Sequence, residues 1–487
     1  MKLKALLGAE LAAPPLCENA EISGITADSR AVQPGFLFAA LGGRREDGTR
    51  FVPEAIRNGA AAILLAEGSR PANVGAGVPV LTAAEPRRVL ALLAARFYQR
   101  QPDIVVAVTG TSGKTSVVEF ARQIFAATSR TAASLGTIGL VKPQGRTYGA
   151  LTTPDPVALH RCLAELAAEG ITHLAFEASS HGLDQHRLDG VRLAAAAFTN
   201  LSRDHLDYHP DMAAYLAAKL RLFTELLPAG RTAVINADGG CAGEVIAAAR
   251  SAGRGVFTVG RAGEAVRLYA IAREGFTQRL RVEHRGEMFD IALPLLGEYQ
   301  AANALLAAGL ALAVGEPASR VFPALGELRG VRGRLEVAGR ARGGLIVIDY
   351  AHKPDALAAA LDALRQAVPG RIVCVFGCGG DRDRGKRPIM GRIAMDKANH
   401  VLITDDNPRT ERPGAIRAEI LAGAPGAREI GDRTEAIRAG VRLLGPGDAL
   451  LIAGKGHETG QIVGADVLAY SDHEAVRAAL AEPPIDV

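Results

Sequence analysis

The segment Val105–Ser116 constrains the fold more than any other part of the chain. It reads VVAVTGTSGKTS, a β-branched apolar run that ends in a glycine loop and opens into a helical pattern. This strand–loop–helix order is the context of a phosphate-binding loop, although Val108 stands where the usual first glycine falls. Lys114 would reach the β- and γ-phosphates, and the Thr115 hydroxyl would ligate Mg²⁺. The sequence therefore predicts a site for ATP or GTP; the alternative is a plain glycine turn.

The chain length and composition limit the class of protein. At 487 residues the chain is too long for one hydrophobic core, and about three domains are expected. An apolar content of 48% with 22% charged residues is typical of a soluble globular protein. The net charge of +4 is small, no long basic tract occurs and only 5% of residues are aromatic. These values give no support to a nucleic-acid partner.

The cysteines and the apolar segments bear on the compartment. The five cysteines are scattered without zinc-site spacing, which favours a reduced protein. The apolar start Met1–Leu7 is similar to a signal peptide, but Glu10 interrupts it too early. The most apolar helical stretch, Ala304–Val314, is too short to span a bilayer. We expect a cytoplasmic protein without membrane insertion.

Alternating strand and helix patterns divide the chain into three α/β units. Residues 1–97 form a small unit with strands near 37–41 and 61–65 and a helical period over 83–98. Residues 98–331 place strands at 104–108, 174–177, 195–199 and 232–236, a mainly parallel sheet around the phosphate-binding loop. Residues 332–487 place strands at 346–350, 371–376, 400–404 and 449–453, which predicts a Rossmann-like, doubly wound domain.

Polar residues follow the predicted strands of the middle unit, at the sheet edge where α/β proteins bind ligands. Glu177 and His205 lie after two such strands, and Lys219 lies in the next helical stretch. A carboxylate suits Mg²⁺, whereas a bare ammonium cannot ligate it. On composition alone, Lys219 is a surface lysine and His205 a loop or capping histidine.

The third unit carries charged strand ends of a different kind. Arg387 and Arg409 follow strands, and an arginine fork binds carboxylates bidentately. The alternative is a structural ion pair with Asp381, Asp383 or Asp406. Asp349 and His352, at another strand end, would contact a ribose or a phosphate, or else cap a loop.

Together and in this order, these segments resemble the Mur ligase family over essentially the whole chain. The segment Gly110–Thr115 is similar to the family's Gly-Thr-x-Gly-Lys-Thr/Ser loop, which accounts for the missing first glycine. The other matching segments are Thr152–Pro154, Glu177–His181, Thr199–Asp207, Arg334–Glu336 and Asp349–Pro354. Three more, Gly377–Pro388, Asp406–Arg409 and Gly454–Glu458, resemble the member that adds meso-diaminopimelate.

The resemblance implies a reaction. ATP phosphorylates the D-glutamate side-chain carboxylate of UDP-N-acetylmuramoyl-L-alanyl-D-glutamate (UDP-MurNAc-L-Ala-D-Glu), and the amine of meso-diaminopimelate attacks the acyl phosphate. This is a step of cytoplasmic peptidoglycan precursor synthesis, and the implied cofactors are ATP and Mg²⁺. The implied partners are these small molecules, and a monomer is expected. Positioning and charge neutralisation carry such chemistry.

The resemblance also implies the site residues. Thr115 and Glu177 would ligate one Mg²⁺, and His205 and a carbamylated Lys219 a second; a carbamate supplies the anionic oxygen that an ammonium lacks. The catalytic set is Lys114, Glu177, His205 and Lys219. The nucleotide set is Gly110, Thr111, Ser112, Gly113, Lys114, Thr115, Ser116, Asn303, Arg334, Asp349 and His352. The UDP-linked dipeptide set is Ala27, Ser29, Arg44, Arg45, Glu46, Thr152, Thr153, Ser179, Gln185 and Arg187. The diaminopimelate set is Arg387, Asp406, Asn407, Pro408, Arg409, Gly454 and Glu458.

Several positions depart from the family pattern, and rival activities stay open. Lys353 replaces a usual Thr, and the other departures are Ser112, Leu151, Gln300 and the pair Arg44-Arg45. The rivals are a lysine-adding Mur ligase, a folylpolyglutamate synthase-like ligase and a nucleotide-dependent switch. An arginine at 409 argues against lysine, because lysine lacks the distal carboxylate and would leave Arg409 unpaired.

Overall fold

A computed structural model describes residues 1–12, 17–43, 47–69, 77–147, 151–274 and 277–481. Its first sheet is parallel, in the order β1-β2-β3-β4. Alternate residues of its strands face opposite sides, so that Leu37 and Leu64 pack with α3 while Phe38 and Ile63 pack with α2. The elements are α1 (Leu3–Leu7), β1 (Gly24–Thr26), β2 (Phe36–Ala39), α2 (Val52–Arg57), β3 (Ala62–Ala66), β4 (Val80–Ala83) and α3 (Pro86–Tyr98).

The second sheet contains the glycine loop. Its order is β15-β14-β13-β12-β11-β10-β5-β9-β6-β7-β8, parallel from β13 to β6 and antiparallel at both ends. The strands are β5 (Ile104–Thr109), β6 (Ala132–Gly136), β7 (Gly139–Lys142), β8 (Gly145–Thr147), β9 (His173–Glu177), β10 (Ala195–Phe198), β11 (Thr232–Asn236), β12 (Gly255–Gly260), β13 (Val266–Glu274), β14 (Thr277–His284) and β15 (Glu287–Leu293).

Helices cover both faces of this sheet, which explains the continuous apolar character of its central strands. Val106 and Val108 pack with α4 and α9, whereas Val105 and Ala107 pack with α5 and α8. The helices are α4 (Lys114–Ala127), α5 (Pro156–Ala168), α6 (Ser180–Asp184), α7 (Met212–Arg221), α8 (Ala242–Ser251), α9 (Glu298–Ala313) and α10 (Ala318–Leu325). No helix within the described ranges is long and apolar enough to cross a membrane.

The third sheet has the order β16-β17-β21-β18-β19-β20, parallel except for β16. A separate hairpin pairs β22 with β23. The strands are β16 (Glu336–Ala341), β17 (Gly344–Asp349), β18 (Ile372–Phe376), β19 (His400–Ile403), β20 (Arg428–Glu429), β21 (Ala449–Ala453), β22 (Gly460–Val463) and β23 (Asp466–Ala469). The helices are α11 (Pro354–Ala367), α12 (Lys386–Lys397), α13 (Pro413–Leu421), α14 (Arg433–Arg442) and α15 (Asp472–Ala481).

The topology places the polar strand ends side by side. In the second sheet β5 lies between β10 and β9, so the glycine loop, Glu177 and the 199–207 loop leave adjacent strands. In the third sheet β17, β21, β18 and β19 are neighbours, so Asp349, Gly454, the 377–385 loop and Asp406 meet at one edge. The predicted α/β class with parallel sheets is confirmed. Several strands were not predicted from the sequence, including the antiparallel ends of the second sheet. Another is β4 (Val80–Ala83), which pairs with β3, so the helix predicted from residue 83 begins at Pro86.

Candidate active site

Two glycines shape the loop between β5 and α4. Gly110 and Gly113 adopt φ values of 139° and 87°, which L side chains rarely adopt. A Cβ at Gly110 would overlap Thr199 Oγ1, and one at Gly113 would overlap Asn303 Oδ1. The N-cap residue of α4 is Gly113, which has no side chain to cap the helix, so among the described residues the first N–H groups of α4 are available to an anion. The loop has the form that binds phosphate.

Lys114 lies over this loop. Its Nζ donates to Gly110 O at 2.9 Å and to Thr111 O at 3.0 Å. Burial, with the nearby Lys353 ammonium, lowers the pKa of Lys114 to about 8. A phosphate beside Lys114 would favour its charged form.

Thr115 and Glu177 lie in contact below the loop. Thr115 Oγ1 donates to Glu177 Oε1 at 2.9 Å, and Thr137 donates to the same carboxylate through its N–H at 2.7 Å and its hydroxyl at 3.1 Å. Glu177 is 1% exposed. A hydroxyl and a carboxylate at a phosphate loop are the oxygen donors that Mg²⁺ takes. Among described residues no cluster of three or more His, Cys, Asp or Glu could hold a metal alone, so phosphate oxygens and water would complete this site.

Lys219 is fully buried, so the interpretation as a surface lysine is wrong. Its side chain is among the largest with under 2% exposure, and its Nζ donates to Gly110 O at 2.9 Å. The ammonium lies 4.2 Å from the Tyr215 ring centroid. Burial, then Lys114, lowers the pKa of Lys219 well below its usual range. A neutral amine at the loop is the form that reacts with CO₂ to give a carbamate.

His205 lies on the same side of the loop as Lys219. Its ring packs against His181 and Tyr215, with centroids 4.9 and 6.0 Å away. Burial lowers the pKa of His205, which favours the neutral imidazole that a metal ligand needs. The structure thus gathers Lys114, Thr115, Glu177, His205 and Lys219 around one loop.

The predicted nucleotide residues come from the second and third sheets. Asn303, on α9, donates to Gln300 Oε1 at 3.0 Å and lies against Gly113. Arg334 Nη2 donates to Thr115 Oγ1 at 3.0 Å, and its guanidinium lies 4.4 Å from the Tyr350 ring centroid. Asp349 accepts from Leu335 N at 2.5 Å. Burial raises its pKa to about 6, and the nearby Arg334 opposes the shift.

Two further predicted nucleotide residues differ in their contacts. His352 Nδ1 lies 2.7 Å from Tyr350 O, and burial lowers the pKa of His352 well below its usual value. Ser116 is buried in the first turn of α4 and lies close to the loop.

The residues predicted for the muramoyl dipeptide form one hydrogen-bonded group beside Glu177. Thr153 Oγ1 donates to Glu177 O at 2.8 Å, and Ser179 N donates back to Thr153 Oγ1 at 3.1 Å. Arg187 donates to Thr153 O and to Gln185 Oε1, both at 2.7 Å. Thr152 joins through Thr137, with hydroxyl oxygens 3.2 Å apart.

The predicted uridine residues lie on loops of the first sheet. Ser29 is buried and donates to Glu54 Oε2 at 2.7 Å, while Ala27 is exposed. Arg44, Arg45 and Glu46 lie outside the described residues. The structure therefore places Ala27 and Ser29 but brings neither into the group around the glycine loop.

The predicted diaminopimelate residues of β19 and β21 converge. Asn407 Nδ2 donates to Glu458 Oε2 at 2.9 Å, and Lys455 Nζ donates to Asn407 Oδ1 and Glu458 Oε2 at 3.0 and 2.8 Å. Asp406 Oδ2 is buried and accepts no hydrogen bond from the described residues. It lies where a Cβ on Gly454 would fall. An amine would satisfy this carboxylate oxygen.

Arg409 is held by backbone contacts that leave most of its guanidinium unused. Its N–H donates to Ile462 O at 3.0 Å and its carbonyl accepts from Gly464 N at 2.7 Å, both on the β22–β23 hairpin. Its Nη1 donates to Gly380 O at 2.8 Å. No carboxylate of the described residues pairs with it, so the ion-pair alternative is wrong for Arg409. Pro408 is buried beside it.

Arg387 does not face this group. Its side chain is 0% exposed and pairs with Glu411 at 2.8 Å and Glu419 at 2.8 Å, with a further bond to Gly379 O at 3.1 Å. A guanidinium so occupied is not available to a substrate carboxylate, so the structure contradicts the diaminopimelate role of Arg387. The alternative, a structural ion pair, is right in kind, but its acids are on α13 and the loop before it.

Arg382 is the arginine that lies beside Arg409. The side chains of Arg382 and Arg409 both come within 4 Å of the position that a Cβ on Gly379 would take. Arg382 is 52% exposed, and its Nη1 lies 4.0 Å from Asp207 Oδ2. Arg382 and Lys455 were not among the predicted site residues, and Lys353 was named only as a departure from the family pattern. Each of these residues lies in a segment that the sequence had already indicated as part of the site. The feature that could have identified them is the additional positive charge in each segment.

Comparisons with known proteins agree along the whole chain. Residues 21–98 match the Mur ligase family catalytic domain, 108–311 the Mur ligase middle domain, and 333–456 the Mur ligase glutamate ligase domain. The UDP-N-acetylmuramoyl-L-alanyl-D-glutamate--2,6-diaminopimelate ligase of Bradyrhizobium diazoefficiens is 59% identical over 99% of both chains. That of Brucella melitensis is 55% identical over 99% of this chain and 98% of its own.

Solved structures give the same result. A UDP-N-acetylmuramoyl-L-alanyl-D-glutamate--2,6-diaminopimelate ligase superposes with a TM-score of 0.72 at 33% identity, over 99% of this chain and 98% of its own. Mycobacterium tuberculosis folylpolyglutamate synthase complexed with ADP and AMPPCP has a TM-score of 0.63 at 20% identity, over 81% of this chain and 94% of its own. The latter likeness concerns the fold alone.

Proposed function

The chain belongs to the Mur ligase family, and from this membership we propose that it joins meso-2,6-diaminopimelate to the D-glutamate side-chain carboxylate of UDP-MurNAc-L-Ala-D-Glu with consumption of ATP. The observation that carries the proposal is the 59% identity, over 99% of both chains, to a ligase of that name. The phosphate-binding form of the glycine loop and the unused donors of Arg409 support it. ATP, UDP-linked dipeptide and diaminopimelate give ADP, phosphate and the UDP-linked tripeptide.

The first step is transfer of the γ-phosphoryl group to the glutamate carboxylate: a carboxylate oxygen forms a bond to the γ-phosphorus, the bond from that phosphorus to the β–γ bridging oxygen breaks, and ADP is released. We propose that the N-terminus of α4 and Lys114 hold the phosphates, and that Asn303, Arg334, Asp349 and His352 contact the nucleoside and phosphate side. The oxygens of Thr115 and Glu177 fit Mg²⁺, and carbamylation of Lys219 would give a second set with His205. Bound Mg²⁺ supplies charge neutralisation to the phosphates.

The second step is attack of the diaminopimelate amine on the acyl carbon, after which phosphate leaves the tetrahedral adduct. We propose that Arg409 and Arg382 hold the distal carboxylate, and that Asp406, Asn407 and Glu458 hold the distal amino group. The Lys455 ammonium, 2.8 Å from Glu458 Oε2, balances the negative charge of Glu458. Gly454 leaves room for Asp406.

The dipeptide end completes the arrangement. We propose that Thr152, Thr153, Ser179, Gln185 and Arg187 orient the dipeptide so that its carboxylate reaches the glycine loop. The first-sheet loops at Ala27 and Ser29, with residues 44–46, would hold the uridine end. We further propose that the sheets mark domains at 1–97, 98–331 and 332–487, and that the reaction is cytoplasmic and carried out by a monomer.

The test is ATP-dependent phosphate release in the presence of UDP-MurNAc-L-Ala-D-Glu, with meso-diaminopimelate compared with L-lysine. Release with diaminopimelate, together with the tripeptide product, is the expected result. Release with lysine at an equal rate would refute the selectivity and keep the ligase. Release without an amino acid would indicate a nucleotide-dependent switch, and release with a folate acceptor a folylpolyglutamate synthase-like enzyme.

A further inference from the structure

Lys353 occupies a position where a lysine is locally unfavourable. It is the N-cap residue of α11, and its side chain makes no capping hydrogen bond. Ser, Thr, Asp and Asn are preferred there because their oxygen accepts from the first N–H groups, and a cation also opposes the helix dipole. Residues that break a local preference of this kind are expected at functional or strained sites.

The Lys353 side chain crosses from the third sheet to the second. Its Nζ lies 2.6 Å from Asp204 Oδ2 and donates to Thr111 O at 3.4 Å. Asp204 lies in the 199–207 loop, which follows β10, and Thr111 lies in the phosphate-binding loop. The two charged side chains are 11% and 16% exposed. One ammonium therefore joins the third sheet to both loops at the reaction centre.

Two other ion pairs join the same surfaces but are more exposed. Arg203 Nε lies 3.2 Å from Asp383 Oδ2, and Arg382 Nη1 lies 4.0 Å from Asp207 Oδ2. The arginines of these pairs are 57% and 52% exposed, so solvent and salt screen them. Solvent and salt screen the Lys353–Asp204 pair less than the other two pairs. Of these three ion pairs it therefore has the largest influence on how the surfaces sit on each other.

We propose that Lys353 is a positioning residue for the attack of the amino acid on the acyl phosphate. Its ion pair with Asp204 holds the third sheet closed over the phosphate-binding loop, and thereby brings the diaminopimelate residues to the acyl phosphate. The inference deepens the proposed function and rests on it for the substrates only. Closure itself is a property of the protein with or without those substrates.

The test compares variants in two assays. Lys353→Thr removes the ammonium and supplies a capping oxygen, and Lys353→Arg keeps a cation. Asp204→Asn removes the partner charge, which also lies 3.0 Å from His205 Nε2, so the Lys353 variants decide the role of the pair. The first assay is small-angle X-ray scattering of the protein alone and with ADP. The second separates kcat from the KM values for ATP and diaminopimelate. The matched control is Arg203→Ala, which removes a more exposed pair from the same loop.

Lys353→Thr and Asp204→Asn are each expected to increase the radius of gyration and to lower kcat by about tenfold or more, since each strands one partner of a shielded charge pair. Both KM values are expected to change by less than about threefold, and the double variant to be no worse than either single one. Lys353→Arg and Arg203→Ala are expected to stay within about threefold of the wild type.

Lys353→Thr with wild-type scattering and kcat would overturn the proposal. So would a loss in both assays by Lys353→Arg that equals the loss by Lys353→Thr, because a cation would then not be the requirement. Thermal melting identifies any variant that is unfolded. If Lys353→Thr is unfolded, the scattering and kcat of Asp204→Asn and of the double variant test the proposal instead. If the wild-type protein releases no phosphate with the dipeptide and diaminopimelate, the proposed function fails, and the scattering comparison still decides the role of Lys353.

Discussion

Arg409→Ala tests the substrate assignment most directly. In the structure Arg409 Nη1 donates to Gly380 O, and no carboxylate among the described side chains pairs with the guanidinium. The half-buried guanidinium therefore has donors left for a substrate carboxylate. Diaminopimelate carries such a carboxylate at its distal end, and L-lysine does not. Truncation should weaken only the first of these two substrates.

The size of the effect follows from the contact that is lost. A charge-assisted hydrogen bond of this kind contributes about 1–3 kcal/mol, which is about 5- to 150-fold in relative affinity. We expect kcat/KM for meso-diaminopimelate to fall by that factor and kcat/KM for L-lysine to stay constant or rise. The assay is phosphate release at saturating ATP and UDP-MurNAc-L-Ala-D-Glu, with each amino acid varied in turn.

The control is Arg412→Ala, because Arg412 is exposed at the start of α13 and lies three residues from Arg409. It should leave both values unchanged. Arg382→Ala should act in the same direction as Arg409→Ala. An unaltered ratio of diaminopimelate to lysine in Arg409→Ala would refute the assignment, whatever the effect on the absolute rate.

Three further predictions concern single side chains. Lys219→Arg should abolish phosphate release, because a guanidinium forms no carbamate, and only the wild type should show a carbamate carbon by ¹³C NMR in labelled bicarbonate; an active variant would contradict this. Arg387→Met should lower the free energy of unfolding by about 2–3 kcal/mol at neutral pH. The hydrogen bonds and charge of Arg387, with the Asp381 N–H and Arg384, lower the pKa of Glu411 from 4.5 to about 2, so the loss should shrink as pH falls from 4.5 towards 2 in denaturant titrations. Asp349→Asn should weaken ADP binding measured by calorimetry above pH 6, and the difference should vanish below it, because the pKa of the buried carboxyl is raised to about 6.

The fold and the phosphate loop could be predicted because their signals are local. The alternation of apolar runs with helical periods gave the strands at 232–236 and 449–453 to the residue. Gly110 and Gly113 adopt positive φ in a tight loop of a few residues between β5 and α4, and glycine is the residue that tolerates this conformation. The resemblance to the Mur ligase family rests on such segments, and the relatives confirm it.

The pairing of charges could not be predicted, because it depends on residues far apart in the chain. Arg382 lies in the loop after β18 and Arg387 in the first turn of α12, five positions further on, and from the sequence either could have faced the substrate. Only the packing of α13 against α12 brings Glu419 to Arg387, while Gly379 leaves Arg382 beside Arg409. This packing makes Arg387 the arginine that pairs inside the protein and Arg382 the one that can contact a ligand.

The sequence by itself determined the strand–loop–helix unit at Gly110–Lys114, the order of the sheets and the residues at their carboxyl ends, because backbone preference and apolar period are properties of neighbouring residues. The tertiary structure decided the states of the cations. Lys219 is buried against the loop, Arg387 is paired with acids on and just before α13, and Lys353 crosses to Asp204 in the loop after β10. Burial and Coulomb energy depend on distance in space, and that distance is fixed only when the sheets are assembled.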